Sequence, residues 1–299
     1  VGLGASAVLR AVGDAKGAML CTLSGGVVNA ILDPILIFSL ELGVTGAAIA
    51  SVFARLAVCT YALYRVHYKH RLLTIPTIAS FKSCLRPILH IALPAIVTNM
   101  ATPLGNAYVT SAIAVYGSSY VAGYAVLGRL TPVCFGFVFS LSGAIGPILG
   151  QNFGARQWDR IERTLSDSLL IMVVFCTGVS ALLWLVQDFV INAFKLNSQA
   201  ADIVSLFCTY LAITFVFNGM LFTANATFNN LNSPRIASTL SVGKATIGTI
   251  PFVMLGSYYW QAHGVLIGQA IGSVLFGVLA YWMALLKVKR MRKAYERDD

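Results

Sequence analysis

The stretch Cys21-Thr-Leu-Ser-Gly-Gly-Val-Val-Asn-Ala-Ile-Leu-Asp-Pro-Ile-Leu-Ile-Phe38 decides the fold, because it sets a carboxylate and an amide inside an apolar run long enough to cross a bilayer. Asp33 is the anomaly in it. An ionisable side chain at membrane depth is costly, so it normally faces protein or a water-filled cavity and marks an ion or substrate path. Asn29 precedes it by four residues, which places both side chains on one helix face. Pro34 has no N–H to offer the carbonyl of Ala30, so the spacing predicts a loosened acceptor and a bend beside the acid. Carboxylate, amide and carbonyl together suit a site that exchanges a proton or binds a small cation. The alternative is that Asn29 and Asp33 only tie two helices by hydrogen bonds, for which an amide alone is cheaper.

Outward from this stretch the whole sequence has the same character. Of 299 residues, 58% are hydrophobic and 11% charged, with a mean hydropathy of +0.78. The apolar runs are about 20 residues or longer without period-two alternation, which predicts an all-α polytopic membrane protein and favours helices over a barrel. The net charge of +10 sits in short segments between apolar runs, the pattern of cytoplasmic loops, so nucleic acid is not an expected partner. Six dispersed cysteines show no C-x-x-C, and four histidines form no ligand spacing. No enzyme, no cofactor and no metal is expected beyond a Na⁺ at Asp33 and Asn29.

In chain order, Val1–Val12 reads as the end of a helix, followed by spans at about 17–40, 46–65, 88–116, 120–149, 164–186, 201–228, 235–256 and 264–286, eight in all. Residues 65–87, with Arg65, Lys69, Arg71, Lys82 and Arg86, no acid, and Pro76 and Pro87, read as a connector. The tail 287–299 is basic through Lys287, Lys289, Arg290, Arg292, Lys293 and Arg297. Basic segments alternate with nearly uncharged loops, so the positive-inside rule puts the basic ones, the connector and the C-terminus in the cytoplasm of an inner cell membrane. Tyr116, Tyr120, Tyr258, Tyr259 and Trp260 then fall at the outer interface.

A repeat sets the architecture. Gly46-Ala-Ala-Ile-Ala50 resembles Gly264-Val-Leu-Ile-Gly268 at a displacement of 218, Gly13-Asp-Ala-Lys16 resembles Asn232-Ser-Pro-Arg235 at 219, and Pro34 matches Pro251 at 217. Parallel repeats predict two six-helix lobes, of which 1–64 is the last part of the first (the end of helix 4, then helices 5 and 6) and 88–286 is the second (helices 7 to 12). About 130 residues upstream complete the first lobe on this reading. Asn29 and Asp33 map onto Thr246 and Ile250, so the acid occurs in one half only, which favours function over symmetric packing.

Arg10-x-x-Gly-Asp14, Asn29-x-x-x-Asp33-Pro34, Gly46-Ala-Ala-x-Ala50 and Gly150-Gln-Asn-Phe-Gly-Ala155 together resemble the multidrug and toxic compound extrusion (MATE) transporters, across essentially the whole chain. The resemblance implies two six-helix lobes in a V that open alternately to either side, an antiporter exporting organic cations, drugs or other amphiphiles against H⁺ or Na⁺. In the family's first lobe the coupling cation is held by a first-helix Asp, an Asn and Asp on the fifth helix, and a hydroxyl on the sixth. Asn29 and Asp33 match the fifth-helix pair and Ser51 the hydroxyl; the first helix, with its Asp, is expected in the upstream part of the lobe. Thr102 and Asn218 stand where one branch has second-lobe acids, which points to the DinF-like branch and to coupling through the first lobe.

Thr98, Asn99, Asn106 and Tyr108 on one helix, with Asn218, Met220 and Asn225 on another, are expected to line the substrate path, and Arg129 is an unexplained charge well inside its span. Gly264-x-x-x-Gly268-x-x-x-Gly272 predicts a close helix contact. A lipid-linked oligosaccharide flippase on the same scaffold would need several cavity cations, and only Arg55, Arg129 and Lys244 offer themselves; a non-transporting receptor or structural protein would need long loops or a soluble domain. The expected partners are an amphiphilic or cationic small molecule and the bilayer, for a monomeric protein.

Overall fold

The structure, a computed structural model, describes residues 1–73 and 77–298, the side chains of 297 and 298 excepted. Pro76 and the Arg297 side chain therefore lie outside the described residues. The described chain is helical throughout and divides into two compact units, Val1–Ser83 and Cys84–Asp299.

In the first unit, α1 (Gly2–Ala11) turns at Gly13 into α2 (Ala15–Pro34), and α3 (Gly43–Tyr64) returns beside it. Gly13 takes φ +84°, and Asp14 caps α2 by accepting from the Gly17 N–H at 3.0 Å. α2 and α3 run antiparallel and nearly touch. A Cβ on Gly25 would sit 2.5 Å from Val58 Cγ2, and one on Gly46 would sit 2.6 Å from the Leu36 carbonyl oxygen. Leu9, Ala18, Cys21, Ala62 and Val66 form the small core at the other end of the pair.

After Pro34 the helix leaves α geometry. The helix continues and widens into a π turn at Ile35–Ser39, where the Leu40 N–H reaches the Ile35 carbonyl at 2.9 Å. A chain already lacking one i to i−4 bond gives up the α register and keeps its amides satisfied in a wider turn. Left-handed Glu41 (φ 53°) then closes the end. α3 ends by the same device: a π turn at Arg65–Lys69, then Arg71 at φ 50°. The connector is accordingly helical at both ends, since α4 (Ile78–Ala114) starts well before residue 88 and holds Pro87, Pro94 and Pro103 within it. Membrane-type helices tolerate such prolines because neighbouring groups re-satisfy the backbone.

In the second unit the single span expected at 120–149 is two helices, α5 (Ser118–Cys134) and α6 (Gly136–Gly154), bent by 46°. Phe135 makes the break; it is fully buried and stacks on Phe215 with ring centroids 4.2 Å apart. α7 (Trp158–Ala193) follows, then α8 (Ser198–Leu206), a π and a 3₁₀ turn through Thr214, and α9 (Phe215–Asn230). α10 (Pro234–Ala245) leads into α11 (Ile250–Asp298). α9 is the central helix, packed against α6, α7, α10 and α11, and the core gathers Val109, Leu127, Phe135, Cys176, Val204, Cys208 and Val265.

α11 is two antiparallel arms. Trp260 and Gln261 leave helical geometry, Gln261 at φ 51°. A Cβ on Gly264, Gly268 or Gly272 would strike the carbonyl of Gly256, Phe252 or Gly248 respectively, so the glycine stripe lets the arms meet backbone to backbone. The repeat is visible in these turns. Gly13 and Asn232, and Gly43 and Gln261, all have positive φ at displacements of 219 and 218. Six helices are long and apolar enough to cross a membrane, seven with the bent α5–α6 pair; opening the longest, Pro234–Glu296, at Gln261 gives eight segments among the described residues.

Candidate functional site

The antiparallel α2–α3 pair, with Val1, Gly2 and Leu3 at the start of α1, lines a cavity of about 730 Å³ within the first unit. Thr22, Gly25, Gly26 and Asn29 face it from α2, spaced three and four residues apart as one helix stripe; Ser51, Ala54, Arg55, Val58 and Cys59 face it from α3 with the same rhythm. Gly25 and Gly26 leave the α2 wall without side chains, which opens room beside Asn29. The Asn29 Oδ1 is buried and has no hydrogen-bond partner among the described residues, so an acceptor stands ready for a guest. The cavity thus brings together Asn29 and Ser51. Asp33 is not in its lining; it lies one turn further along α2, half-buried, and makes no hydrogen bond or ion pair among the described residues.

Two further features of this unit are charged, and only the second was not read from sequence, since Arg55 is already among the candidate cavity cations. Arg55 enters the cavity, one helical turn beyond Ser51. The other is a charge cluster on Asp14. This carboxylate, whose side chain is 9% exposed, accepts from Arg65 at 2.7 Å, His70 Nε2 at 2.9 Å and Lys69 at 3.2 Å while also capping α2. One acid therefore holds three bases drawn from the far end of α3. The signal in the sequence was the cap position itself, an Asp after a Gly at a helix start, with every base in the following segment unpaired by any acid.

The His70 ring and the Arg65 guanidinium, with smaller help from the Gly17 N–H and Lys69, hold the Asp14 carboxyl well below the usual carboxylate range against the opposing effect of burial. With the folded value depressed, the stabilisation is present above the unfolded value near ~4 and is lost as pH falls below it. The thermal stability of the full-length protein minus that of its Asp14→Asn variant should thus hold steady from neutrality to about pH 5 and shrink below about pH 4. A difference that vanishes by pH 6 would show that the carboxylate is not what the bases hold.

In the second unit the residues expected to line a path divide between two helices. On α4, Asn99 and Asn106 are exposed, with Asn106 accepting a long 3.5 Å contact from Gln269, while Thr98 hydrogen-bonds to Ser238 at 3.2 Å. Tyr108 and Met220 pack on the apolar core. On α9, Asn218 accepts from Lys244, and Asn225 is buried, donating to Ser241 at 2.9 Å with its Oδ1 unpartnered among the described residues. Lys244, at the end of α10, thus serves a side chain of its own unit. Arg129 is exposed on α5 and bonds to none of the described residues.

With this geometry in place, the family model described as MatE matches residues 94–255, more than half of the 299-residue chain, and the chain belongs to that family. A protein of Shewanella oneidensis named FAD transporter is 29% identical over 283 residues, which are 92% of this chain and 62% of that protein. The probable multidrug resistance protein NorM of Thermotoga maritima is 25% identical over 286 residues, 91% of this chain and 60% of the relative. Among solved structures, a MATE protein in its straight conformation superposes with a TM-score of 0.88 at 22% identity, over 98% of this chain and 66% of the other. The bent form of the Vibrio cholerae MATE transporter VcmN gives 0.85 at 23% identity, over 96% and 66%. These likenesses are of fold. The chain spans about three-fifths of the length of the curated relatives it matches, 62% and 60% of these two.

Proposed function

We propose that the full-length protein is a secondary active antiporter of the inner cell membrane, exporting amphiphilic small molecules, organic cations and drugs among them, in exchange for H⁺ or Na⁺ by alternating access. The observation that carries this is the α2–α3 cavity, with an unpartnered Asn29 acceptor and Ser51 in its wall and the Asp33 carboxylate one turn beyond. Neutral oxygens beside a membrane-depth carboxylate form a group that can pass between proton-bound, cation-bound and free states. The names of the relatives agree with export, and they also name FAD, which belongs in the assay beside drugs. The test is efflux of ethidium, norfloxacin and FAD from proteoliposomes holding the full-length protein, with an imposed pH or sodium gradient. Movement of one of them that follows either gradient supports the proposal; equal movement with both gradients collapsed removes it.

The orientation proposed with it puts the C-terminus in the cytoplasm. Two ends of the second unit are each tied together: the Asn197 amide donates to Ser119 at 2.7 Å at one, and Arg156 donates to Tyr295 at 2.8 Å at the other. In a variant without the six native cysteines, Ser118→Cys and Ser198→Cys should react with a membrane-impermeant maleimide added outside intact cells, and Ala155→Cys and Lys293→Cys only after lysis. Ser198 is preferred to Asn197, whose side chain caps α8 through the Ala200 N–H at 3.0 Å. Outside labelling at Ala155 with silence at Ser118 inverts the orientation.

A further inference from the structure

We infer that the second unit carries its cation built in, with the Lys244 ammonium standing where the first unit leaves room for a free one. This deepens the proposed function and rests on reading the α2–α3 cavity as a cation site. The register of the repeat brings Lys244 to that place. At the displacements of 217 to 219 that relate the halves, Lys244 falls on residues 25–27, where the first unit has Gly25 and Gly26 in the cavity wall. Those glycines leave space; Lys244 puts a four-carbon stem and a charge there. On the returning helix, the displacement of 218 that aligns Gly46–Ala50 with Gly264–Gly268 carries Ser51 onto Gln269, so the hydroxyl also keeps a polar counterpart.

Lys244 is the last residue but one of α10, and the span breaks just past it. Thr246 leaves helical geometry at φ −102° and ψ −83°, the Gly248 N–H reaches back to the Gly243 carbonyl at 2.8 Å, and the Thr249 hydroxyl donates to the Lys244 carbonyl at 2.8 Å. A helix interrupted inside a membrane crossing presents its C-terminal carbonyls, the end that favours a cation. The Lys244 ammonium donates to Asn218 Oδ1 on α9, its one hydrogen-bond partner among the described residues. No carboxylate answers it. α10 packs on α9 and α11 and meets α4 where Ala245 faces Gly105; α4, α9 and α10 contain no Asp or Glu, and those of α11 are Glu296 and Asp298 at its far end. A lysine kept at membrane depth with only a neutral oxygen for company is costly, and it reproduces a bound monovalent cation that cannot leave. Ion exchange is thereby left to the first unit.

The test is thermal unfolding of purified full-length protein in detergent, in an Asp33→Asn background so that the first unit offers no carboxylate to a cation. Lys244→Ala removes the equivalent of n-propylammonium, so n-propylammonium chloride is the probe, with choline chloride at equal ionic strength and n-propanol as controls. With Lys244 present, the melting temperature should be the same in n-propylammonium and choline. Lys244→Ala should melt several degrees lower in choline and regain most of that loss in n-propylammonium but not in n-propanol. An equal response to n-propanol, or none to n-propylammonium, overturns the inference. If Lys244→Ala does not fold, Lys244→Met decides, since it fills the space without a charge. With Asp33 intact, it should lower gradient-driven efflux from proteoliposomes by roughly tenfold, the size of a lost hydrogen bond to a charged group, and leave the half-saturating concentration of the coupling ion unchanged. Lys244→Arg should keep most of the rate. Wild-type rates in Lys244→Met, or a shifted half-saturation that puts Lys244 in the exchange itself, overturn the inference. Wild-type protein without gradient-driven efflux would remove the antiport reading, and the melting comparison would still decide this one.

Discussion

Asp33→Asn in the full-length protein should insert and purify like wild type and lose gradient-driven efflux down to the level of empty vesicles. The substitution keeps size and hydrogen-bonding capacity and fixes the charge at zero. An ionised carboxylate inside a span costs up to about 2.5–3.5 kcal/mol on insertion scales, the full figure applying at the centre, so neutralising it eases insertion, and a loss of transport cannot be blamed on a failure to reach the membrane. Asp33 also makes no hydrogen bond or ion pair among the described residues, so no tie between helices is broken. Asn29→Ala should reduce coupling without abolishing it, because it removes a neutral acceptor and leaves the titrating group in place. The measurement is efflux from proteoliposomes under pH and sodium gradients. Wild-type rates and ion dependence in Asp33→Asn would make the residue a passive part of α2 and move the coupling elsewhere.

Gly268→Leu should remove most of the folded protein. The Cβ it adds points at the Phe252 carbonyl oxygen across the α11 reversal, and the Gly264 and Gly272 positions above and below are equally closed by Gly256 and Gly248. Overpacking usually costs about 1–3 kcal/mol when side chains can shift aside. Here the obstacle is backbone in the facing arm, so relief requires parting the two arms along their length, and the cost exceeds that range against a total stability of about 5–15 kcal/mol. The readout is the monodisperse fraction of detergent-solubilised full-length protein on size exclusion. Gly178→Leu on α7 is the control, since nothing lies within 4 Å of a Cβ there. Equal yields from the two variants would mean that the arms are not held together by their glycines.

These two positions also show what could be read before any coordinates. The glycines of 264–272 repeat every four residues, a pattern that needs only a neighbouring helix to be interpreted, and the structure supplies that neighbour as the other arm of α11. The all-α polytopic class was legible for a similar reason, since apolar runs in a bilayer have one satisfactory backbone conformation, whereas helix bounds such as the start of α4 at Ile78 and the break at Phe135 were not. What escaped was everything set by contacts distant in sequence. Arg65, Lys69 and His70 read as an unpaired basic run because their acid, Asp14, lies 51 to 56 residues earlier. Arg55 was visible as a charge inside a span, but its place in the same cavity as Asn29 depends on the register between α2 and α3, which Gly25 and Gly46 fix through close approach. The π turns after Pro34 and Tyr64 are a third case. Proline announces a missing hydrogen bond, whereas widening in place of kinking is decided by whether the following amides find carbonyls to take them.

The break at Phe135 bears on how the second unit can deform. α5 on one side of it packs against α8, and α6 on the other side packs against α9, so the two arms of one crossing belong to different neighbours. The buried Phe135 ring, stacked on Phe215 where α9 begins, is the fulcrum between them. A tilt of α9 would bear directly on α6, whereas α5 takes its packing from α8, which is joined to α9 through the π and 3₁₀ turns. A crossing built as an unbroken rod would have carried the same tilt from one face of the bilayer to the other.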